Sequence, residues 1–245
     1  MADVLRTVNL QKTYGRKKVV KDVSFEMESG GITGLLGPNG AGKTTSFYMI
    51  VGFIKPSGGH IYLNDTELND KPMHERSKLG LAYLPQEASI FRKLSVEDNI
   101  RVILEERYKG RGRKKEREEE LEMLLERFGI QRVRKQYGYT LSGGERRRTE
   151  IARAIATKPR FLLLDEPFAG IDPKAVYEIK MIIRQLASDG IGVLLTDHNV
   201  RDTLEITMNA HIISEGNIIV SGTKDELLSN QMAREIYFGD DFGRS

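Results

Sequence analysis

The chain has 245 residues, 39% hydrophobic and 30% charged, a length that suits one α/β domain with an inserted lobe and a balance that excludes wholesale disorder or collagen-like repetition. Its longest apolar run, Phe47 to Val51, is five residues where a bilayer crossing takes about 20, and 38 basic against 35 acidic residues give a net +3, too balanced to imply a nucleic-acid partner. There is no cysteine, which rules out disulfides and thiolate metal sites and agrees with a reducing cytoplasm; Met1-Ala2-Asp3-Val4 lacks a basic stretch followed by an apolar one, so no secretory signal is expected.

In chain order, short β-like runs come first: Val4 to Leu10, Val19 to Met27 and Ile32 to Leu36, broken by Tyr14-Gly15-Arg16-Lys17 and Glu28-Ser29-Gly30-Gly31. They predict an antiparallel β edge feeding a buried central strand. A Gly-rich loop, a helix from about Gly42 to Phe53, and a turn at Pro56-Ser57-Gly58-Gly59 into a strand His60 to Leu63 follow. From Val96 to about Ile155 the pattern is helical. There Leu121, Leu124, Leu125 and Phe128 recur at helical spacing within Lys114 to Phe128, and twelve basic against eight acidic residues between Arg101 and Lys135 read as a solvated helix pair of mixed charge. Beyond Pro159 the chain predicts strand Phe161 to Leu164, helix Pro173 to Leu186, strand Gly192 to Thr196, a helix from about Asn199 and a hairpin His211 to Val220. Strands alternating with helices imply a largely parallel sheet, interrupted by a helical insert.

Gly37-Pro38-Asn39-Gly40-Ala41-Gly42-Lys43-Thr44 fits a phosphate-binding loop, and it stands between an apolar strand and a helix as that chemistry requires. Glycines let backbone N–H groups turn toward phosphate oxygens, and the helix N-terminus adds about half a positive charge. Lys43 is placed for the β- and γ-phosphates, Thr44 for Mg²⁺. The apolar run Phe161-Leu162-Leu163-Leu164 ends in Asp165 and Glu166; beside a phosphate loop, Asp165 reads as a Mg²⁺ ligand and Glu166 as the group that orients or deprotonates the attacking water. His198 follows the strand Gly192 to Thr196, within reach of a γ-phosphate. Leu141-Ser142-Gly143-Gly144-Glu145 opens a helical stretch and offers a second anion site, from a serine and free N–H groups.

Two phosphate-binding features in one chain, the second of them Leu-Ser-Gly-Gly, make the sequence resemble the ATP-binding cassette of ABC transporters over essentially its whole length. The resemblance implies an ABC-type P-loop ATPase fold: an α/β core at about 1–95 and 157–245 with an antiparallel β edge, and a helical subdomain at about 96–156. It implies that Tyr14 stacks on adenine, that Gly37 to Thr45 hold the phosphates, and that Gln86 senses Mg²⁺ and water. Further, Ser142, Gly143, Gly144 and Glu145 are the signature, Asp165 and Glu166 the metal-binding and catalytic pair, Ala169 to Asp172 the loop crossing to the other subunit, and His198 the switch histidine. Many members have glutamine where this chain has Glu145. The cofactors implied are ATP and Mg²⁺, and the working form a homodimer whose two active sites are each shared between chains.

The stretch Tyr83 to Val96, with Glu145-Arg146-Arg147-Arg148, Asp165 to Pro173 and Tyr237-Phe238-Gly239-Asp240-Asp241-Phe242, closely resembles the ATP-binding subunits of bacterial lipopolysaccharide export systems. Branched-chain amino-acid importers share much of the same core, and cassette ATPases without a membrane partner form a third possibility. Export implies two transmembrane permease subunits as partners, contact with the membrane only through them, and a place on the cytoplasmic face of the inner membrane. Phe91 and Arg92, just after Gln86, are the candidates for the groove that receives those partners; ordinary core packing is the competing reading for Phe91.

Overall fold

Alternating buried and exposed residues shape the first two strands, β1 (Val4–Tyr14) and β2 (Lys17–Glu28), which pair antiparallel with Leu5 opposite Met27 and Tyr14 opposite Lys17. Alternation puts Leu5, Val23, Phe25 and Met27 on the inner face, and register shifts between Thr7 and Leu10 and between Leu10 and Lys12 bring Leu10 and Val20 there as well. The computed structural model describes residues 2–109 and 113–238; Gly239 to Phe242, part of the C-terminal stretch singled out above, lie outside the described residues.

The remaining strands are β3 (Ile32–Leu36), β4 (Gly58–Leu63), β5 (Thr66–Glu67), β6 (Leu81–Leu84), β7 (Phe161–Asp165), β8 (Gly192–Thr196), β9 (Asn209–Ser214) and β10 (Asn217–Gly222). All ten form one sheet in the order β5-β4-β1-β2-β10-β9-β3-β8-β7-β6. Four strands, β5 to β2, pair antiparallel; β9, β3, β8, β7 and β6 run parallel. In the parallel half β3, β7 and β8 are buried at every position, as unbroken apolar runs covered on both faces should be. The fold is α/β, with the antiparallel edge joined to β10 through Asn217 opposite Asp22.

The helices are α1 (Lys43–Val51), α2 (Met73–Lys78), α3 (Val96–Arg107), α4 (Lys114–Arg127), α5 (Gly143–Ile155), α6 (Pro173–Ser188), α7 (Val200–Ile206), α8 (Lys224–Ser229) and the single turn α9 (Gln231–Ala233). Between β6 and β7 the described residues hold helices α3 to α5 and no named strand. The four apolar residues expected to mark one helix face, Leu121, Leu124, Leu125 and Phe128, are at most 1% exposed. They belong to one apolar cluster with Leu162 and Leu164 of β7 and Val193 and Leu195 of β8, so this helical stretch is fused to the sheet through shared core. Beyond the sequence-based reading stand β6, which closes the parallel half, α2, which packs next to it, the short edge strand β5, and the helices α8 and α9.

β3 runs straight into the Gly-rich loop and α1, while β7 and β8 lie on its flank with Asp165 opposite Thr196. The C-terminal ends of β3, β7 and β8 therefore deliver their following residues to one edge of the sheet, where open α/β sheets hold ligands.

Candidate active site

The loop from Gly37 to Gly42 is shaped by close backbone approach. A Cβ on Gly37 would stand 2.1 Å from the carbonyl oxygen of Ile213, and Gly37 has φ 154°; at Gly42, with φ 111°, it would meet Val19 O at 3.2 Å. Only glycine fits both places. The first hydrogen bond of α1 runs from Ser46 N–H to Gly42 O, at 2.9 Å. The N–H groups of Lys43, Thr44 and Thr45 thus precede the helical ladder, as the first donors of any helix do, and face the pocket with the dipole behind them. That pocket, of about 150 Å³, is lined by Asn39, Gly40, Gly42, Lys43, Thr44 and Thr45 together with Val19 and Glu166.

Lys43 is 7% exposed, and its Nζ donates to Gly37 O at 2.6 Å and Pro38 O at 3.0 Å. Burial lowers its pKa below the ordinary lysine range, against the opposing pull of Glu166, Asp165 and Asp197. Across the pocket Asp165 is 3% exposed. Thr196 Oγ1 donates to its Oδ1 at 2.6 Å, and Tyr83 Oη donates to its Oδ2 at 3.4 Å. Burial pushes the pKa of Asp165 up, and the charge of Glu166 adds to this. Asp197 is likewise raised, chiefly by burial, while it accepts from Asn199 N–H at 2.8 Å and Phe168 N–H at 3.3 Å.

Glu166 has φ 44°, a left-handed conformation in a residue with a side chain, and such strain concentrates where surroundings over-determine it. Here its N–H donates to both Thr196 O at 3.0 Å and Thr196 Oγ1 at 3.2 Å. The twist turns the carboxylate toward Gln86, whose Nε2 donates to Glu166 Oε2 at 2.7 Å, and His198, whose Nδ1 is 3.4 Å from the same oxygen and 3.6 Å from Asp197 Oδ1. Three residues far apart in sequence, Gln86, Glu166 and His198, thus converge beside Lys43. Asp197, Thr196, Tyr83 and Arg147 complete the arrangement and were not anticipated, since no motif marks their roles in the sequence.

Arg147 of α5 is 5% exposed. Its guanidinium donates to Pro85 O at 3.0 Å, Asp165 O at 3.3 Å and Glu150 Oε2 at 3.4 Å, and Glu150 Oε1 accepts from the N–H groups of Ser89 at 2.7 Å and Ile90 at 3.0 Å. The signature helix is thereby pinned to both the loop carrying Gln86 and the end of β7.

Ser142 caps α5, accepting from Glu145 N–H at 3.3 Å, while its own N–H and Oγ donate to Glu145 Oε2 at 2.9 and 2.7 Å. This is a closed capping box, and those bonds hold the Glu145 pKa below its usual range. None of Ser142 to Glu145 lines the phosphate-loop pocket; Gly143 instead borders a narrow cleft with Gln86, Arg147 and Glu166. Tyr14 also stands apart, half-exposed at the end of β1 with Lys12 Nζ 5.2 Å from its ring centroid. Asp172, in the loop after Glu166, accepts from Ala175 N–H at 3.0 Å and caps α6.

Phe91 is 45% exposed, so the core-packing reading does not hold. Asn99 of α3 grips its backbone, accepting from Phe91 N–H at 2.9 Å and donating to Phe91 O at 3.1 Å, and the Arg153 guanidinium lies 4.6 Å from its ring centroid. Arg92 is exposed beside it. A groove of about 160 Å³ opens where α2 and β6 face α3 and α5, lined by Met73, Ser77, Tyr83, Leu84, Ile103 and Arg153 among others; Phe91 does not line it but covers Arg153, which does.

A P-loop, a carboxylate pair after an apolar strand and a Ser-Gly-Gly helix start now stand in one fold, and the model of the ABC transporter family matches residues 20–169, more than half of the chain. The chain belongs to the ABC transporter family. It is an ATP-binding, ATP-hydrolysing member of that family, and its relatives agree. It is 50% identical over 242 residues to the lipopolysaccharide export system ATP-binding protein LptB of Acidithiobacillus ferridurans, covering 99% of each chain. To LptB of Escherichia coli K12 it is 50% identical over 238 residues, 97% of this chain and 98% of the other, and to LptB of Haemophilus influenzae 48% over 239 residues, 98% of each. Among solved structures it is similar to the ADP conformation of the ABC transporter cassette MJ1267, with a TM-score of 0.84 at 27% identity over 97% of this chain and 99% of that one. As an ABC ATPase it has no helix, among the described residues, long and apolar enough to cross a membrane.

Proposed function

We propose that this ABC ATPase powers lipopolysaccharide export from the inner membrane, working from the cytoplasmic face as a homodimer bound to two transmembrane permease subunits. The observation that carries the reading is the identity of about half over nearly the whole chain to three lipopolysaccharide export subunits; it favours export over the branched-chain amino-acid importer and over a cassette without a membrane partner. The α/β core, about 1–95 and 157–245, holds the nucleotide, and the helical subdomain, about 96–156, presents Ser142, Gly143, Gly144 and Glu145 to the nucleotide of the second copy. Tyr14 stacks on the adenine.

In this reading the N–H groups from Gly37 through Thr45, Pro38 excepted, cradle the phosphates, and Lys43, desolvated yet held among three carboxylates, exchanges its two carbonyl partners for β- and γ-oxygens. Glu166 takes a proton from the attacking water through the oxygen that Gln86 now occupies, and Gln86 holds that water in line. The water oxygen bonds to the γ-phosphorus as the bond to the bridging oxygen breaks, giving ADP and phosphate. His198, 3.4 Å from Glu166, donates to the γ-phosphate. Thr44, Asp165 and Gln86 would hold Mg²⁺, which supplies charge neutralisation of the phosphates. The residues present fit such an ion: Asp165 is a buried carboxylate beside Glu166, its pKa raised by burial and by that neighbour, and Mg²⁺ needs only one or two protein carboxylates when phosphates and water complete its shell.

Phe91 and Arg92 would anchor the membrane subunits beside the groove between core and helical subdomain. The test is isolation of the chain from native membranes in detergent, wild type and Phe91→Ala, with the co-purifying proteins identified by mass spectrometry. Two permeases and bound lipopolysaccharide with the wild type, lost with Phe91→Ala while the variant keeps its basal ATPase rate, are expected; importer permeases in their place would overturn the cargo assignment.

A further inference from the structure

Tyr83 sits at a meeting point that the catalytic scheme leaves unused. It is half-buried while Leu81, Ala82 and Leu84 of β6 are buried. The residue borders the groove between α2, β6, α3 and α5, while its ring packs on the α1 face of the sheet and its hydroxyl donates to Asp165 Oδ2 at 3.4 Å. The ring is held edge-on by Tyr48 of α1, at 6.4 Å and 87°, and by Phe53, at 5.5 Å and 82°, and those two rings meet each other at 5.5 Å and 88°. Tyr48 and Phe53 are 37% and 51% exposed. One residue of β6 therefore borders the groove with its ring against the helix behind the phosphate loop and its hydroxyl on the buried carboxylate.

Each oxygen of Asp165 has one hydroxyl donor, Thr196 from β8 on one side and Tyr83 from β6 on the other. The two bonds differ. At 2.6 Å the threonine bond is short and fixed; at 3.4 Å the tyrosine bond is at the long limit, so a ring displacement of a few tenths of an ångström makes or breaks it. In this bond the Tyr83 hydroxyl is the donor and Asp165 Oδ2 the acceptor.

We propose that Tyr83 is a positioning residue that couples occupancy of the groove to the orientation of Asp165, and so to the metal-binding competence of the nucleotide site. The inference rests on the reading of Asp165 as the Mg²⁺ ligand and of the groove as the permease dock. A side chain entering the groove presses on the edge strand β6 at Tyr83, beside Met73, Ser77 and Ile103. The ring pivots against Tyr48 and Phe53, and the hydroxyl closes on Asp165 Oδ2, which fixes the second oxygen as Thr196 fixes the first.

The test uses Tyr83→Phe, which keeps the ring and the groove and deletes only the hydroxyl. Binding of a trinitrophenyl-ATP probe is measured in EDTA and across a Mg²⁺ titration, for the isolated protein and for the complex with its membrane subunits. In the isolated protein the affinity in EDTA stays at the wild-type value, while the Mg²⁺ concentration for half-maximal enhancement rises about threefold to tenfold, the range for one ordinary hydrogen bond. Because both readings come from the same folded molecules, a partial loss of folding cancels. In the wild type the permease subunits lower the Mg²⁺ requirement, and in Tyr83→Phe that difference disappears. An unchanged Mg²⁺ requirement in Tyr83→Phe, with Asp165→Asn raising it, overturns the role of Tyr83 alone. If Asp165→Asn also leaves it unchanged, the metal assignment of Asp165 falls and the inference with it. A wild-type requirement that is the same with and without permeases overturns the coupling.

Discussion

Replacing Arg76 by methionine tests how the phosphate-loop helix is held from behind. Arg76 is 2% exposed, and no carboxylate pairs with it among the ion pairs of the described residues. Its guanidinium instead donates to Met49 O at 2.6 Å and Ile50 O at 2.7 Å, in the last turn of α1, and to Lys71 O at 2.7 Å. The positive charge thus sits at the negative end of the α1 dipole and satisfies carbonyls that the helix leaves open. Gly52 completes the fit, since a Cβ there would stand 2.8 Å from Arg76 Nε. Methionine fills much of the volume but donates nothing. Three buried carbonyls losing a donor cost about 1–3 kcal/mol each, and the relief of desolvating a cation offsets part of this, leaving a net loss of about 3 kcal/mol. For a chain of this size that lowers the melting temperature by about 6–12 °C. Arg76→Lys, reaching one or two of the three carbonyls, should recover less than half. Calorimetry or circular dichroism at neutral pH reads the effect directly, and a loss below about 1 kcal/mol for Arg76→Met would refute the argument that these bonds anchor α1.

Two predictions concern the catalytic scheme. Glu166→Gln keeps the side-chain shape and a hydrogen-bonding partner for Gln86 but removes the base, so turnover should fall about 10²–10⁴-fold while nucleotide still binds and the closed dimer accumulates; light scattering after size exclusion should show doubled mass with ATP, and wild-type turnover would sink the assignment. Mixing Lys43→Ala chains with Ser142→Arg chains should restore part of the activity, because heterodimers collect both lesions in one shared site; a mixture as inactive as either parent, with heterodimers present, means the sites are not shared or both must be intact.

Much of the fold is legible in the sequence because its central strands are unbroken apolar runs between turn residues: Ile32 to Leu36 and Gly192 to Thr196 form strands with the expected bounds, and Phe161 to Leu164 extends by one residue to Asp165. β6 escaped because Leu81-Ala82-Tyr83-Leu84 is four residues long between Gly80 and Pro85, with no alternation, and becomes a strand only by pairing with β7. Arg76 lies in Met73-His74-Glu75-Arg76-Ser77-Lys78, a polar text that reads as surface; the burial comes from tertiary contacts with α1. At the site, the loop, Asp165, Glu166 and His198 follow from motif spacing, whereas Asp197 is visible only once its carboxylate is seen accepting two backbone N–H groups. Glu145 looked like a departure from glutamine. In the structure it is the residue that closes the capping box on Ser142.

The bonds of Arg147 and Glu150 decide which parts of the molecule can travel separately. Pro85 O, Asp165 O and the N–H groups of Ser89 and Ile90 are all tied to two side chains one turn apart on α5. The turn of chain from Pro85 to Ile90, the first half of α5 and the end of β7 are therefore braced as one unit. Its short arm carries Gln86 beside Glu166, and its outer arm carries Ser142. Because Arg147 also holds Asp165 O, Gln86 and Glu166 keep their mutual place, and a displacement of Ser142 reaches the bond between them as a shift of both partners together.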